Sequence, residues 1–300
     1  MENVLISGGS GLIGKALSKL LIKNGYTVVH LGRKENLTSD IKCFRWDLTK
    51  NWIDARAFEN VDTIVNLAGA GIADKRWTNE RKKEILDSRV ISSQLLIGEA
   101  NKRLGQIKTF VGGSAIGFYG AVTTDKIYTE NDLPGNDYMA NVCVKWENEY
   151  HQLNENIRKV IIRTGVVLSN EAGALPKLVT PVKFGLGSAI GSGKQLIPWI
   201  HINDIVSFFH EAICNKSMIG IYNGVSPKFI SNNELNKTIA KQLNKPYFMP
   251  KVPSIMLQLL LGEMAIMVTE GSAISAEKTT QIPFQFKFPE IEGALKDLLS

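Results

Sequence analysis

Short runs of apolar, often β-branched residues alternate with amphipathic stretches through the first half of the chain. Two of the amphipathic stretches, Ile13 to Asn24 and Asn79 to Leu104, predict helices. The apolar runs predict strands at Asn3 to Ser7, Thr27 to Leu31, Lys42 to Arg45, Thr63 to Asn66, Thr109 to Gly112 and Lys159 to Thr164. Because strands that alternate with helices form parallel sheets covered on both faces, the pattern predicts an α/β protein with a doubly wound, Rossmann-type parallel sheet.

The amino-acid composition changes after about Val167, where glycine and proline become frequent. The segments Gly173 to Pro176 and Gly185 to Gly193 predict loops around a pocket. Ile205 to Cys214 predicts another helix that packs back on the sheet. We therefore expect a Rossmann domain over residues 1–167, with 198–225 packing back on it. Residues 168–300 are expected to form a smaller C-terminal, substrate-side lobe and an appended C-terminal domain.

The most apolar later stretch runs from Ile255 to Val268 and is interrupted by Gln258 and Glu263. It is shorter than the roughly 20 residues that a membrane-spanning helix needs, so no membrane span is expected. We interpret it as a buried helix. The alternative is a partner-binding or interfacial helix, because the flexible side chains of Met256, Met264 and Met267 suit adaptable surfaces.

Composition and charge narrow the function classes. With 300 residues and 44% hydrophobic content the chain can bury a full core. The N-terminus lacks a signal-peptide pattern, so a cytoplasmic location is expected. Cys43, Cys143 and Cys214 show no paired spacing, which predicts neither a disulfide nor a metal site. The net charge of +6 is scattered, which suits phosphate-bearing ligands, and no nucleic-acid partner is expected.

A glycine motif stands between the first predicted strand and the first predicted helix. Tight turns and close approach to a pyrophosphate require glycine there, and the helix N-terminus then holds the anion. With this context we predict a dinucleotide-binding loop rather than a mere tight turn. Its predicted cofactor-binding residues are Gly8, Ser10, Gly11, Leu12, Ile13 and Gly14.

The end of the second strand indicates which dinucleotide is bound. NAD-binding proteins usually place a carboxylate there for the ribose 2′-hydroxyl, whereas this chain has Arg33 followed by Lys34. A guanidinium can grip a 2′-phosphate bidentately and stack on adenine. NADP (NADPH) is therefore predicted over NAD. The alternative is that Arg33 is an ordinary surface charge.

Further motifs follow the later strands, and with them the whole chain resembles an atypical extended short-chain dehydrogenase/reductase. More narrowly, it resembles the NAD(P)-dependent epimerase family, in the cell-division-inhibitor-like group with an appended C-terminal domain. The segments that carry the resemblance are Asp47, Asn66 to Ala70, Arg76-Trp77-Thr78, Ser88-Arg89, Ser114 to Gly120, Trp146-Glu147, Arg163 to Leu168, Trp199 to Asp204 and Leu261-Gly262-Glu263.

The resemblance implies particular cofactor contacts. Asp47 would approach the adenine end, and Leu67, Ala68 and Gly69 would line the cofactor. From chemistry alone, Asp47 could equally be a helix N-cap beside Thr49.

The acid/base pair of the wider superfamily, Tyr-x-x-x-Lys, is missing. Aligned on Glu147, its two positions hold Met139 and Cys143, neither of which does the same work. Tyr138 and Lys145 could substitute in principle, but they lie seven residues apart, two turns along a helix, which is too distant for the usual pair geometry. The alternative is that Tyr138 stands at a helix entry and Lys145 lies in solvent.

Three other residues are candidate catalytic groups. Ser114 is a candidate hydrogen-bond donor to a substrate carbonyl, although alignment on Tyr119 places Ala115 in the usual serine position. Tyr119 offers a phenol near the nicotinamide or, alternatively, a packing corner. His201 is a candidate general acid or base, and its alternative is a structural element beside Asp204, which would cap the following helix.

Cations and an aromatic ring follow the fourth strand and end the sixth. Because ligands bind outside the carboxyl ends of the strands, these side chains are candidates for holding an anionic substrate, with salt bridges as the alternative. They are Arg76, Trp77, Arg89 and Arg163.

Two functions remain after hydrolase and kinase motifs are excluded. The first is an NADPH-binding oxidoreductase or epimerase-like protein that acts on an unknown small molecule, sugar-like or anionic, through an atypical acid/base group. The second is a catalytically silent NADPH-binding sensor, or a regulator that recruits a protein partner or a second copy of the chain.

Overall fold

The computed structural model describes residues 2–300 and is built on a twisted sheet of eight strands. The sheet contains β1 (Asn3–Ser7), β2 (Thr27–Gly32), β3 (Cys43–Asp47), β4 (Trp52–Ile53), β5 (Thr63–Asn66), β6 (Thr109–Ala115), β8 (Arg158–Thr164) and β11 (Gly220–Gly224). Their order is β11-β8-β6-β5-β1-β2-β3-β4, and every pair is parallel except β3 with β4. The order reverses between β5 and β1, which opens a crevice at their carboxyl ends.

Helices and short strands complete the fold. The helices are α1 (Leu12–Lys23), α2 (Asn79–Asn101), α3 (Tyr138–Glu149), α4 (Ala174–Lys183), α5 (Ile202–Cys214), α6 (Asn232–Gln242), α7 (Ser254–Leu261), α8 (Ile266–Thr269), α9 (Glu277–Thr280) and α10 (Ile291–Leu299). The short strands β7 (Ile127–Tyr128) and β12 (Ala273–Ile274) pair with each other, as do β9 (Val166–Leu168) and β10 (Trp199–His201).

Both faces of the sheet are buried. Successive residues of each strand point to opposite sides, and helices pack on both sides. In β1, Val4 and Ile6 pack with Leu17 of α1 and Phe208 of α5. Leu5 faces the other way, into a core that includes Leu96 of α2. A strand buried on both faces must be almost wholly apolar, which is why the middle of β1, Val4 to Ile6, is an unbroken hydrophobic run.

The predicted fold class is confirmed, and so are the predicted strands and helices of the sheet. The bounds of β1 and β5 match the prediction, and those of the other predicted strands differ by one to three residues. Helix α5 begins at Ile202, three residues before the predicted start.

The C-terminal part builds a core of its own from α4, α6 and α10, with Leu175, Leu235 and Leu295 buried together. The segment 220–224 nevertheless supplies β11, an edge strand of the main sheet. The division at residue 167 stays a prediction.

Two predictions about the C-terminal half are wrong. The expected loop at Gly173 to Pro176 contains the start of α4, because proline fits the first turn of a helix, where no N–H partner is lost. The stretch Ile255 to Val268 is not a buried helix: it forms α7, a 3₁₀ turn and α8, and Leu259 and Leu260 are 76% and 73% exposed. None of the helices within residues 2–300 is long and apolar enough to cross a bilayer.

The exposure of α7 predicts that its apolar side chains do not stabilise the fold. In Leu259→Ser with Leu260→Ser, the free energy of unfolding should change by less than about 0.5 kcal/mol per site, as at ordinary surface positions. Phe208→Ala, in the core beneath the sheet, should cost about 3–5 kcal/mol. Urea unfolding of the three proteins measures both effects, and a loss of several kcal/mol in the double variant would show that α7 is buried in solution.

Candidate functional site

The crevice between β1 and β5 is lined on one side by the glycine loop. Gly8 has φ +73°, and a Cβ there would lie 2.6 Å from the carbonyl oxygen of Leu67. A Cβ on Gly14 would lie 2.4 Å from the carbonyl oxygen of Gly8. Any side chain at these positions would push the loop apart, so glycine is what holds the turn tight against the next loop.

Helix α1 begins in this loop without a side-chain cap. Its N-cap residue is Gly11, no acidic residue lies in the first turn, and the N–H groups of Leu12 and Ile13 start the helix. By contrast, α2 is capped by Thr78 and α3 by Asp137. The first N–H groups of a helix have no partner within it and carry the positive end of its dipole. This end of the crevice therefore suits a phosphate group.

The opposite side of the crevice is the loop after β5, and Asn66 fixes its start. The Asn66 side chain accepts from Ser7 Oγ at 2.7 Å and from the backbone N–H of Ala68 at 3.3 Å, and it donates to Ser93 Oγ at 2.9 Å. These bonds tie β1, β5 and α2 together and set the course of Leu67, Ala68 and Gly69 along the crevice.

At the outer end of the crevice, Arg33 is exposed and forms no ion pair within residues 2–300. Asp47 caps a 3₁₀ turn: its carboxylate accepts from Thr49 Oγ1 at 2.7 Å and from the Thr49 N–H at 3.1 Å. These bonds hold the pKa of Asp47 below its usual range, with the hydroxyl of Thr49 as the largest cause. The helix-cap alternative for Asp47 is thus what the structure displays.

The positions of the missing pair are buried on α3. Met139 and Cys143 pack against Gly117, and burial raises the pKa of the Cys143 thiol to about 12. A thiol with that pKa is neutral at pH 7 and cannot serve as the base. Tyr138 stands at the first position of α3 and donates to the backbone oxygen of Lys82 at 2.8 Å, while Lys145 is exposed.

Two of the three candidate catalytic residues belong to a buried polar network. Ser114 Oγ donates to Glu147 Oε1 at 2.6 Å, and Arg163 grips both oxygens of the same carboxylate at 2.8 Å. Arg163 also donates to Tyr119 Oη at 3.0 Å, and Tyr119 donates to Asn223 Oδ1 at 2.6 Å. Burial, the largest cause, raises the pKa of Tyr119 to about 12. The hydroxyls of Ser114 and Tyr119 are thus occupied within the protein.

The third candidate, His201, lies in the structural setting that its alternative describes, with its Nε2 3.3 Å from a carboxylate oxygen of Asp297. It is fully buried, its ring stacks on Phe288 at 3.9 Å, and its Nδ1 accepts from the Asn203 N–H as the cap of α5. Asp204 does not cap α5, contrary to expectation. Its carboxylate accepts from the N–H groups of Lys287 and Phe288 at 2.8 and 2.9 Å, which anchors the C-terminal segment.

The four candidate substrate residues lie in different surroundings. Arg163 is the buried half of the ion pair described above, so its salt-bridge alternative is what the structure displays. Trp77 is buried, with its Nε1 donating to Ile72 and its ring 5.0 Å from that of Tyr138. Arg76 is exposed, with its guanidinium against Gly262. Arg89 is buried behind Gly69.

Sequence reasoning missed the partners that fix these side chains. The motif Trp146-Glu147 does not reveal that Glu147 is the counter-charge of Arg163. No sequence motif points to Asn223, which accepts from Tyr119. Glu147 lies one helical turn after Cys143, and Arg163 lies near the end of β8. The two charges can be recognised as a pair only when α3 is known to lie beside β8.

The C-terminal segment Glu263 to Ile266 forms one wall of the site. Glu263 forms an ion pair with Lys82 of α2, and Met264 and Ile266 pack beside Trp77 and Tyr138. The site thus combines a crevice with an uncapped helix N-terminus, a wall formed by the C-terminal segment and an exposed cation at Arg76, while its hydroxyls and thiol are buried.

Comparison with known proteins matches both parts of the chain. The family model "NAD dependent epimerase/dehydratase family" matches residues 4–223, and a domain of unknown function, DUF1731, matches residues 252–298. The chain is 33% identical over 302 residues to the epimerase family protein SDR39U1 of Homo sapiens, covering 99% of both. It is 34% identical over 304 residues to the epimerase family protein SSP1921 of Staphylococcus saprophyticus, covering 100% of both.

Two solved structures are similar to this chain over nearly its whole length. The crystal structure of human SDR39U1 (isoform 2) with NADPH superposes with a TM-score of 0.89 at 32% identity, covering 99% of this chain and 98% of that one. A nucleoside-diphosphate sugar epimerase from Corynebacterium glutamicum superposes with a TM-score of 0.81 at 28% identity, covering 99% of this chain and 58% of that one.

The buried ion pair predicts a large and specific stability effect. Glu147→Gln keeps the shape but leaves the Arg163 charge unpaired, and should cost about 3–5 kcal/mol in free energy of unfolding. Lys83→Gln breaks an exposed pair with Asp87 and should cost less than about 1 kcal/mol.

Adding Arg163→Met to Glu147→Gln should recover part of the loss, because no buried charge then remains uncompensated. Urea unfolding of the single and double variants tests this. A Glu147→Gln protein as stable as Lys83→Gln would contradict the assignment of a buried, energetically coupled pair.

Proposed function

The chain belongs to the NAD-dependent epimerase/dehydratase family, and on that premise we propose that it binds NADPH in the crevice between β1 and β5. The observation that carries this proposal is the combination of close-packed glycines with the uncapped N-terminus of α1. A pyrophosphate supplies the acceptors that the free N–H groups of Leu12 and Ile13 lack. Leu67, Ala68 and Gly69 would line the other side of the dinucleotide.

NADP is proposed over NAD because of the charge at the end of β2. Arg33 is exposed and unpaired within residues 2–300, and no carboxylate stands in its place to repel a 2′-phosphate. The guanidinium can form two parallel hydrogen bonds to a phosphate. The human relative described above was solved with NADPH, which supports the same preference.

Bound NADPH would supply a hydride, so the protein has to supply orientation and a proton. Met139 and Cys143 offer no acid or base, and the hydroxyls of Ser114 and Tyr119 are taken up by Glu147, Arg163 and Asn223. We therefore propose an oxidoreductase or epimerase-like protein that works without a Tyr-Lys pair. Arg76, exposed beside Gly262, is the side chain available for an anionic group of the substrate.

A second function is favoured by the same buried groups. If no side chain exchanges protons beside the nicotinamide, the protein would bind NADPH without turnover and act as a sensor or a partner-recruiting regulator. The exposed apolar face of α7 offers such a regulator a contact surface. The two functions share the cofactor site and differ only in turnover.

Cofactor preference is testable by nucleotide fluorescence. The wild-type protein should bind NADPH more tightly than NADH, and Arg33→Ala should weaken NADPH binding about 10- to 100-fold, the value of one or two charge-assisted hydrogen bonds. NADH affinity should stay within about twofold, because NADH carries no 2′-phosphate. Arg103→Ala, two residues beyond the C-terminal end of α2, is the control and should change neither affinity.

Turnover then separates the two functions. The NADPH-loaded protein is incubated with a library of small carbonyl compounds, including acidic ones, while the loss of NADPH absorbance is followed. Turnover that Arg76→Ala weakens through KM would support the oxidoreductase. Binding without turnover across the library would favour the sensor, and failure to bind either dinucleotide would refute the proposal as a whole.

A further inference from the structure

Arg89 is a buried cation without a counter-charge. Its side chain lies on α2, and the residue is only 8% exposed. One nitrogen, Nη1, donates to the backbone oxygens of Ala70 at 3.1 Å and Ile85 at 2.9 Å. Within residues 2–300, its Nε and Nη2 donate to no acceptor, and no carboxylate lies within ion-pair distance.

The other buried arginines differ in this respect. Arg81, two turns earlier on α2, pairs with Glu84 at 2.6 Å, and Arg163 pairs with Glu147 at 2.8 Å. Arg158, which is only half-buried, also lacks a carboxylate, but it donates to three backbone oxygens around the C-terminal end of α5, where the helix dipole is negative. Arg89 has neither a carboxylate nor a helix C-terminus beside it; besides the two backbone oxygens, its charge faces only the ring of Trp146, 5.2 Å away.

Burial without a counter-charge is costly for a group that cannot lose its proton. Desolvation lowers the pKa of Arg89, but a guanidinium remains protonated throughout the physiological range. An unpaired buried charge destabilises the free protein. A bound group that accepts hydrogen bonds from Nε and Nη2 would remove that cost, so the favourable partner of this side chain is a ligand.

The position of Arg89 identifies which part of a ligand it would meet. A Cβ on Gly69 would lie 2.9 Å from its Cζ, so the guanidinium lies directly against the loop that follows β5 and lines the crevice. On its other side it lies 5.2 Å from the ring of Trp146, on α3, and near Cys143. Gly69 follows β5 and Arg33 follows β2, and these strands lie on opposite sides of β1, so Arg89 lies on the side of the crevice away from Arg33.

We propose that Arg89 binds oxygen atoms of the nicotinamide half of the dinucleotide, supplying from α2 the cation that α3 lacks at Cys143. This role rests on the proposed cofactor site and replaces the substrate-binding role that its place after β5 suggested. The ligand chemistry is an oxygen-rich group, a ribose diol or the adjoining phosphate, that accepts two hydrogen bonds from the guanidinium edge.

The test compares two nucleotides that share only the adenine half. NADPH and 2′,5′-ADP are titrated against wild type, Arg89→Met, Arg89→Lys and the control Arg103→Met. Arg89→Met should weaken NADPH binding about 10- to 100-fold, the value of a charge-assisted hydrogen bond or two, and leave 2′,5′-ADP within about twofold. Arg89→Lys, which keeps the charge but loses the planar fork, should fall between Arg89→Met and wild type.

Thermal unfolding without nucleotide supplies a readout independent of the cofactor. Because Arg89→Met removes a buried charge that has no counter-charge, its Tm should equal or exceed that of wild type, while its NADPH-induced rise in Tm should shrink. A purely structural arginine would behave in the opposite way, with a lowered Tm and an unchanged affinity for NADPH.

The outcomes separate this inference from the cofactor proposal. Wild-type protein that binds neither nucleotide would defeat both. Wild-type binding with unchanged NADPH affinity in Arg89→Met, or with equal losses for NADPH and 2′,5′-ADP, would overturn the role of Arg89 alone. If Arg89→Met does not fold, Arg89→Lys carries the test, and it must lose NADPH affinity selectively.

Discussion

The buried ion pair between Glu147 and Arg163 is the interaction on which the rest of the site depends. It joins α3 to the end of β8. The Glu147 carboxylate also accepts from Ser114 of β6, and Arg163 also donates to Tyr119. Tyr119 in turn holds Asn223 of β11, whose side chain donates to Ser275 in the appended segment. A low-dielectric interior makes every unsatisfied member of such a network expensive. The hydroxyls that look catalytic in the sequence are therefore occupied in satisfying it.

The sheet and the glycine loop could be predicted from the sequence because their signals are local. Alternating strand and helix patterns predict β1, β2, β3, β5, β6 and β8, and the glycines of the loop stand directly between β1 and α1. The site could be predicted only in part, since its partners lie far apart in the chain. Asn223 meets Tyr119 across 104 positions, and no periodicity reports such a pairing.

The error over α7 has a physical cause. An apolar stretch reports only that its side chains favour leaving water, and not whether the rest of the fold has room to cover them. The three C-terminal helices α4, α6 and α10 already close their own core around Leu235 and Leu295. Helix α7 is left outside, held by its neighbours in the chain and by the contacts of the following turn with Lys82 and Arg76. The alternative of an interfacial or partner-binding helix thus remains a prediction.

Arg33 is exposed and Arg89 is buried, on opposite sides of the proposed cofactor crevice. Their contacts with a bound dinucleotide should therefore respond differently to salt. The field of an exposed guanidinium is screened by salt within about 8 Å at physiological ionic strength, whereas a buried one is screened much less. Attraction between Arg33 and a 2′-phosphate should therefore weaken as ionic strength rises, and the contact of Arg89 should persist. Discrimination between NADPH and NADH would then depend on salt, while the hold on the nicotinamide half would not. A cofactor gripped in this way is selected at its exposed end and positioned at its buried end.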